Sequence, residues 1–365
     1  MNFRCECTVL QKAINIVQRA AAVKATLSYL ECIKIEARDN KIIFKSNNLE
    51  MAIEYWIDAE VEKKGEVLVN VKIFSEIVRK LPLGTVNIKS SNNMIQIICG
   101  NSRFQIKSLD TDSFPEIPQI IEAECIEIEQ GKLRKLISDT IFSISTENSR
   151  PIITGLLIDI RDGYVVMVGI DSYRMALRKE IVDDKEMKIK AVVPGKTMSE
   201  LGRVIDNDND KIKIHIAKKQ VQFLFENFKL VSRLLEGEYL DYRGIIPKEF
   251  GTLFKIDKRN FEQSIDRTLI VIPNEERKYP IELSTENNEI NIKISTYVGE
   301  VSEKINVDVV GENLDVAFNP RFFADCLKAI DDEEVIVKCN TEVGPCIIVP
   351  VEGDDYLYLI GAVRK

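Results

Sequence analysis

Two periodicities alternate along this chain. Apolar residues three and four apart predict amphipathic helices at Leu10, Ala13, Ile14 and Val17, at Leu133, Leu136, Ile137 and Ile141, and at Phe261, Ile265 and Leu269. The same spacing predicts helices over 73–81, 198–205 and 322–330. Alternation at every second position predicts strands, for example over 86–89, 94–98, 103–106 and 211–217. Turn residues at Arg38-Asp-Asn40 and Glu286-Asn-Asn288 separate strand patterns on either side, which predicts hairpins.

These elements recur. The segments Val67-Leu-Val-Asn-Val-Lys-Ile-Phe-Ser-Glu76, Ala191-Val-Val-Pro-Gly-Lys-Thr-Met-Ser-Glu200 and Val316-Ala-Phe-Asn-Pro-Arg-Phe-Phe-Ala-Asp325 share one pattern. It runs from a strand through Asn or Pro to a basic residue, a large apolar residue and an acid. Strand ends at Val69, Val193 and Phe318 are 124 and 125 residues apart, so the chain holds three copies of one unit. Each copy reads as strand, helix, hairpins, helix and closing strands, an α+β unit. Proline-bearing stretches at Phe114-Pro-Glu-Ile-Pro118 and around Pro247 separate the copies. The predicted domains are 1–120, 121–249 and 250–365.

Composition narrows the chemistry. A length of 365 residues, 45% apolar and 30% charged, suits a globular protein of two or three domains. The formal net charge of −8 argues against tight nucleic-acid binding by bulk charge, so any such contact must be local. The single histidine, His215, lies in a strand pattern as a surface residue, which leaves little room for a Ser-His-Asp or Cys-His nucleophile. Eight scattered cysteines without a C-x-x-C pair read as reduced core thiols and support no zinc site. Gly195-Lys-Thr197 lacks the glycine five positions earlier that a phosphate-binding loop needs, since that position is Lys190. The acidic runs 206–210 and 331–334 read as solvated turns, so neither a metal nor a cofactor is assigned. Without a leader pattern or a bilayer-length apolar run, a cytosolic protein is expected.

Charge is distributed unevenly. The six helical segments carry 14 basic residues against seven acidic ones, so the rest of the chain, mostly strands and turns, is strongly acidic. Repetition of basic helices over the copies points to a surface that faces a polyanion.

The chain resembles the bacterial sliding clamp family, the beta subunit of the DNA polymerase III holoenzyme. The resemblance rests on Ser46-Asn-Asn-Leu-Glu-Met51, Ser108-Leu-Asp-Thr-Asp-Ser-Phe-Pro115, Thr146-Glu-Asn-Ser-Arg-Pro-Ile-Ile-Thr-Gly155, Gly169-Ile-Asp-Ser-Tyr-Arg-Met175 and Leu235-Glu-Gly-Glu-Tyr-Leu-Asp-Tyr-Arg243, in that order. It implies the DNA clamp fold: three domains, each of two helices on antiparallel sheets, closing head to tail with a second chain into a six-domain ring. The implied function is non-catalytic. Such a ring encircles duplex DNA without reading its sequence and tethers the replicative polymerase catalytic subunit. A clamp loader complex and other proteins bearing a clamp-binding motif are implied as further partners, and a membrane is not.

The resemblance also implies residues. DNA-facing candidates are Lys24, Lys72, Arg150 and Lys196, joined by Arg79, Arg134, Lys135 and Arg203 from the helix pattern. An apolar partner-peptide pocket would use Ile153, Ile170, Ser172, Tyr173, Arg174, Met175, Leu240, Ile245, Asn319, Phe322, Val343, Leu359, Ile360, Val363 and Arg364. Phe104 and Ile106 of one chain would meet Val271 and Ile272 of the other. The chain departs from the family pattern at Gly361, Ala362 and Gly244, which predicts a reshaped pocket with a preference for bulkier anchors. Two rival readings stay open: a metal-dependent nuclease, and a monomeric peptide-binding scaffold with the clamp fold.

Overall fold

The computed structural model describes residues 1–147, 149–273, 279–340 and 344–364. Its helices are α1 (Cys7–Val17), α2 (Val71–Arg79), α3 (Gln130–Ser138), α4 (Gly195–Val204), α5 (Tyr242–Ile245), α6 (Lys258–Leu269) and α7 (Pro320–Ala329). The residues that define the repeat motif now have a local cause. Asn70 and Asn319 stand at the N-caps of α2 and α7, where their side chains accept from the backbone N–H groups of Ile73 and Arg321. A cap of this kind contributes about 1 kcal/mol. Asp257 does the same for α6 through the N–H of Asn260. Because of these caps, α2 starts at Val71 and α7 at Pro320, each two residues before the apolar spacing predicts.

The chain forms two compact units. The first takes 1–131 and 203–234. It contains a five-stranded sheet in the order Glu60–Lys63, Asn2–Glu6, Thr85–Ser91, Met94–Cys99, Ser102–Lys107. An eight-stranded sheet runs Glu124–Glu129, Lys211–Ile216, Gln220–Phe225, Phe228–Arg233, Met51–Asp58, Lys41–Asn47, Cys32–Arg38, Gly65–Asn70. Leu10 and Ile14 of α1 and Phe74 and Val78 of α2 are buried against this framework. Each such side chain contributes about 1.5–3 kcal/mol by leaving water.

The second unit takes 132–202 and 235–365. Its nine-stranded sheet runs Ile189–Pro194, Gly155–Arg161, Tyr164–Ile170, Arg174–Ile181, Tyr356–Ile360, Cys346–Pro350, Glu334–Cys339, Thr252–Asp257, Asp308–Gly311. A four-stranded sheet runs Glu300–Asn306, Glu289–Ser295, Ile281–Glu286, Asp315–Phe318. Phe323 of α7 meets Phe261 of α6 edge-on, with ring centroids 5.5 Å apart, and fixes that helix pair in the core.

The middle sequence repeat is thus divided. Its strand Phe228–Arg233 pairs with Met51–Asp58 of the first repeat, and its strand Arg174–Ile181 pairs with Tyr356–Ile360 of the third. Both predicted hairpins are present, with Asp39, Asn287 and Asn288 in the left-handed region that tight turns require. One expectation fails: seven cysteines are buried, but Cys125 is exposed on a sheet-edge strand opposite His215.

Candidate partner pocket and basic helix faces

The pocket candidates fall in the second unit, apart from Val343, which lies outside the described residues. Ile153, Ile170, Met175 and Leu359 belong to one buried cluster with Leu157, Val166 and Val168. Register explains the grouping. Met175 stands opposite Leu359 on neighbouring strands, and alternation along each strand sends both side chains to the same face.

Ile360, also expected in the pocket, is one residue further on. It therefore points to the opposite face, fully buried in the core that α6 and α7 share. The candidate is corrected by strand parity.

The segment 239–250 covers part of this face. The Tyr239 hydroxyl donates to the Val168 carbonyl at 3.2 Å, and the buried Tyr242 hydroxyl donates to Asp159 Oδ2 at 2.8 Å. Asp159 is itself buried and also accepts from Arg161 Nε at 3.1 Å. Burial, with the carboxylate of Asp159 beside it, pushes the Tyr242 phenol up to about 12. With the segment pinned at these points, Leu240 and Ile245 are each left 40% exposed on a stretch in which Tyr242 alone is fully buried.

The other candidates gather at the end of strand Arg174–Ile181. Asp171 Oδ1 accepts from the backbone N–H groups of Tyr173 and Arg174, which turns Ser172 and Tyr173 out to solvent. Tyr173 stacks near Phe322 with centroids 6.4 Å apart. The Arg174 guanidinium donates to Asp171 at 3.0 Å, to Asp325 at 2.5 Å and to the Phe142 carbonyl at 2.6 Å, and lies 4.5 Å from the Phe322 ring centroid. Its donors are used to fasten this end of the sheet to α7. Asn319 caps α7, Val363 bridges to Ala317 through the backbone, and Arg364 is exposed.

The departures from the family pattern also acquire a physical reading. The Gly361 N–H donates to the Tyr173 carbonyl at 2.7 Å, and a Cβ at 361 would meet that oxygen at 2.9 Å. The gap expected there is filled by backbone, so Gly361 marks a close approach and not an enlarged pocket wall. Ala362 packs against the third repeat's core. A Cβ at Gly244 would meet Asp241 Oδ2 at 3.0 Å.

Asp159, Tyr242, Asp171 and Asp325 were not among the sequence candidates. Tyr242, Asp171 and Asp325 lay within recognised motifs, and Asp159 did not. Nothing in the sequence links Asp159 to a tyrosine 83 positions away.

Basic candidates differ in how their charge is used. In the first unit Lys24 is exposed in the loop after α1, and Lys72, Arg79 and Arg203 are exposed on helices. Arg79 is held by both Glu76 oxygens at 2.7 Å. In the second unit Arg150 and Lys196 are exposed, whereas Arg134 and Lys135 are half-buried on α3. Lys135 is committed elsewhere: it pairs with the buried Asp139 at 3.2 Å and with Asp331. Among the described residues Lys24, Lys72, Arg150 and Lys196 have no carboxylate partner.

Phe104 and Ile106 lie on Ser102–Lys107, the last strand of the five-stranded sheet. Val271 and Ile272 are not on a strand. They follow α6, half-buried against the third repeat's core, and the Val271 carbonyl accepts from Thr296 Oγ1 at 2.7 Å. The edge of that unit's four-stranded sheet is Glu300–Asn306, which sequence reasoning did not single out.

Comparison with known proteins follows the same three-part division. Sequence profiles of the DNA polymerase III beta subunit match in order: the N-terminal domain over 1–118, the central domain over 127–241 and the C-terminal domain over 243–364. The beta sliding clamp of Bacillus subtilis is 32% identical over 100% of both chains. A putative DNA polymerase III beta subunit from Eubacterium rectale superposes with a TM-score of 0.95 at 34% identity, over 100% of this chain and 99% of that one. The Bacillus subtilis clamp structure gives a TM-score of 0.96 at 31% identity, over 100% and 99%.

Proposed function

The chain belongs to the DNA polymerase III beta subunit family, the sliding clamps, and from that premise we propose how its residues carry the work. The protein is a DNA sliding clamp. Its task is mechanical: it keeps a polymerase near its template by raising the effective concentration of one at the other, so that each dissociation is followed by rebinding.

In our reading three domains, 1–120, 121–249 and 250–365, pair head to tail with a second copy to close a ring around duplex DNA. Topology then supplies retention, and a net charge of −8 is no obstacle. Lys24, Lys72, Arg150 and Lys196 carry the phosphate contacts, with Arg79, Arg134 and Arg203 beside them. Such contacts carry no sequence information and permit sliding. Lys135 serves the fold.

Closure uses two sheet edges, Ser102–Lys107 of one chain and Glu300–Asn306 of the next, with Phe104 and Ile106 against the turn that holds Val271. The first edge exposes Arg103 and Lys107; the second exposes Glu300 and Lys304, with Glu303 already held by Arg267, so the pairing rests on unpaired backbone edges more than on charge. The polymerase, the clamp loader complex and other motif-bearing proteins compete for one pocket floored by Ile153, Ile170, Met175 and Leu359 and flanked by Leu240, Ile245, Tyr173 and Phe322. The protein acts in the bacterial cytoplasm as an accessory subunit without chemistry of its own. Among the described residues no helix is long and apolar enough to cross a membrane.

The observation that carries this reading is the ordered match of three clamp domains along the whole chain. Light scattering behind a sizing column tests it: the expected mass is twice 41.6 kDa at low micromolar concentration. The dimer, once loaded, is expected to stay on nicked circular DNA and to leave after linearisation. A persistent monomer would favour the scaffold reading, and metal-dependent DNA cleavage would favour the nuclease.

A further inference from the structure

Beyond the pocket, the same sheet face continues into a second concavity. Along strand Arg174–Ile181, Met175, Leu177 and Lys179 share one face, and along Tyr356–Ile360, Leu359 and Leu357 do so. Leu177 stands opposite Leu357, as Met175 does opposite Leu359. The floor laid by Met175 and Leu359 therefore runs on without a break into one laid by Leu177, Leu357 and Val349. There it opens into a cavity of about 430 Å³.

The chemistry changes along the way. The rim of this cavity carries three cations, Lys179, Arg243 and Lys338, against two carboxylates, Asp354 on the rim and Asp159 beside Arg243, in a chain whose sheets are otherwise acidic. Lys179 pairs with Asp354 and lies 4.8 Å from the Tyr164 ring centroid. Arg243 leans on Tyr242 Oη at 3.1 Å and sits 3.6 Å from Asp159. Lys338 lies 5.8 Å from the Phe250 ring centroid and has no carboxylate partner among the described residues. An apolar floor under a cationic rim suits a segment that alternates apolar and acidic residues.

We infer that this cavity is an annex of the partner pocket, and that it binds an acidic flank of the same peptide whose apolar anchors fill the pocket. The inference rests on the pocket reading above. Two observations select this occupant: the continuity of the floor from Met175 to Lys179, and the excess of cations over carboxylates at the far end. Lys179 is four residue steps along the strand from Met175, about 13 Å at 3.3 Å each, which an extended peptide spans in about four residues. The favoured acids therefore lie about three to five residues from the apolar anchor.

Fluorescence anisotropy on the full-length protein tests this. The probe is a fluorescein-labelled short peptide with Leu and Phe anchors, used bare and extended at either end by four residues of Asp-Glu, Ser-Gly or Lys sequence. At 50 mM salt the acidic extension at one end is expected to tighten binding about 5–20-fold over Ser-Gly, and the Lys extension to weaken it. The gain is expected to fall below about 2-fold at 500 mM salt. It is also expected to disappear in Lys338→Met and Lys179→Met, which keep the aliphatic stems, while the bare peptide binds these variants as it binds the unaltered chain. An equal gain in the two variants, or no gain from acid at either end, overturns the annex and leaves the pocket standing. Failure of the bare peptide to bind the unaltered protein removes the pocket and the annex together.

Discussion

Tyr242 and Asp159 meet in the interior, hydroxyl to carboxylate at 2.8 Å, and this bond ties α5 to the strand Gly155–Arg161. The segment that carries Leu240 and Ile245 is held in place by that contact more than by its own helix, which has only four residues. Pocket shape and fold stability are therefore coupled at one buried hydrogen bond.

Removing the hydroxyl tests the coupling. Tyr242→Phe is expected to lower stability by about 1–2 kcal/mol at pH 7, because it deletes a hydrogen bond to a buried charged group. Peptide affinity should fall with it, as Leu240 and Ile245 lose their anchor. The pH profile adds a second readout. The folded-state value of about 12 lies above the ordinary phenol value of 10.0, so the folded protein holds this proton more tightly. That contribution is complete below about pH 10 and is lost as pH rises towards 12. Urea unfolding midpoints should decline over that interval, less steeply in Tyr242→Phe than in the unaltered protein.

Arg174 contributes by fastening. Arg174→Ala leaves Asp171, Asp325 and the Phe142 carbonyl without a shared donor, and a loss of about 1–3 kcal/mol is expected in thermal or chemical denaturation. Arg174→Lys is not expected to restore it, since a single ammonium cannot reproduce the planar fork that reaches three acceptors. Full stability in either variant would show that these contacts carry little weight.

Two lysines that look alike in sequence should behave in opposite ways. Lys72→Met is expected to leave the melting temperature unchanged and to weaken association with linear duplex DNA. The slope of log affinity against log salt should fall by about 0.9 for the lost phosphate contact. Lys135→Met is expected to leave DNA association unchanged and to lower stability, because the buried Asp139 loses one of its two cationic partners. Calorimetry and salt-dependent binding on the same preparations distinguish the two.

Gly361→Ala is expected to destabilise the C-terminal strand by about 1–3 kcal/mol, since the added methyl group must displace the Tyr173 carbonyl. Peptide binding should weaken with it. Tighter binding would restore the idea that position 361 lines an enlarged pocket.

Much of the architecture was legible because the helices and strands are strongly periodic and occur three times. A weak pattern such as that of α3 is secured by its counterparts at the same spacing. Of the candidate pocket, the grouping of Met175 with Leu359 in one buried cluster was legible, because a family resemblance supplies positions. Ile360 shows the limit: one step along a strand reverses the face, and parity follows from pairing register, which only the folded chain displays. Lys135 shows another, since a helix-face cation reads the same whether it meets a phosphate or a buried aspartate. That Val271 and Ile272 follow α6 and lie on no strand was hidden for a related reason. Val271 and Ile272 are more apolar than Glu300–Asn306, but an unpaired row of backbone groups leaves no mark in composition.

The division of the middle repeat between two sheets has a consequence for dissection of the gene. A fragment cut at the repeat boundaries would carry Phe228–Arg233 and Arg174–Ile181 as raw edges, each stripped of the neighbour that now protects it, and would be prone to self-association. The two compact units are each discontinuous in sequence. Sequence repeat and compact unit thus divide this polypeptide along different lines.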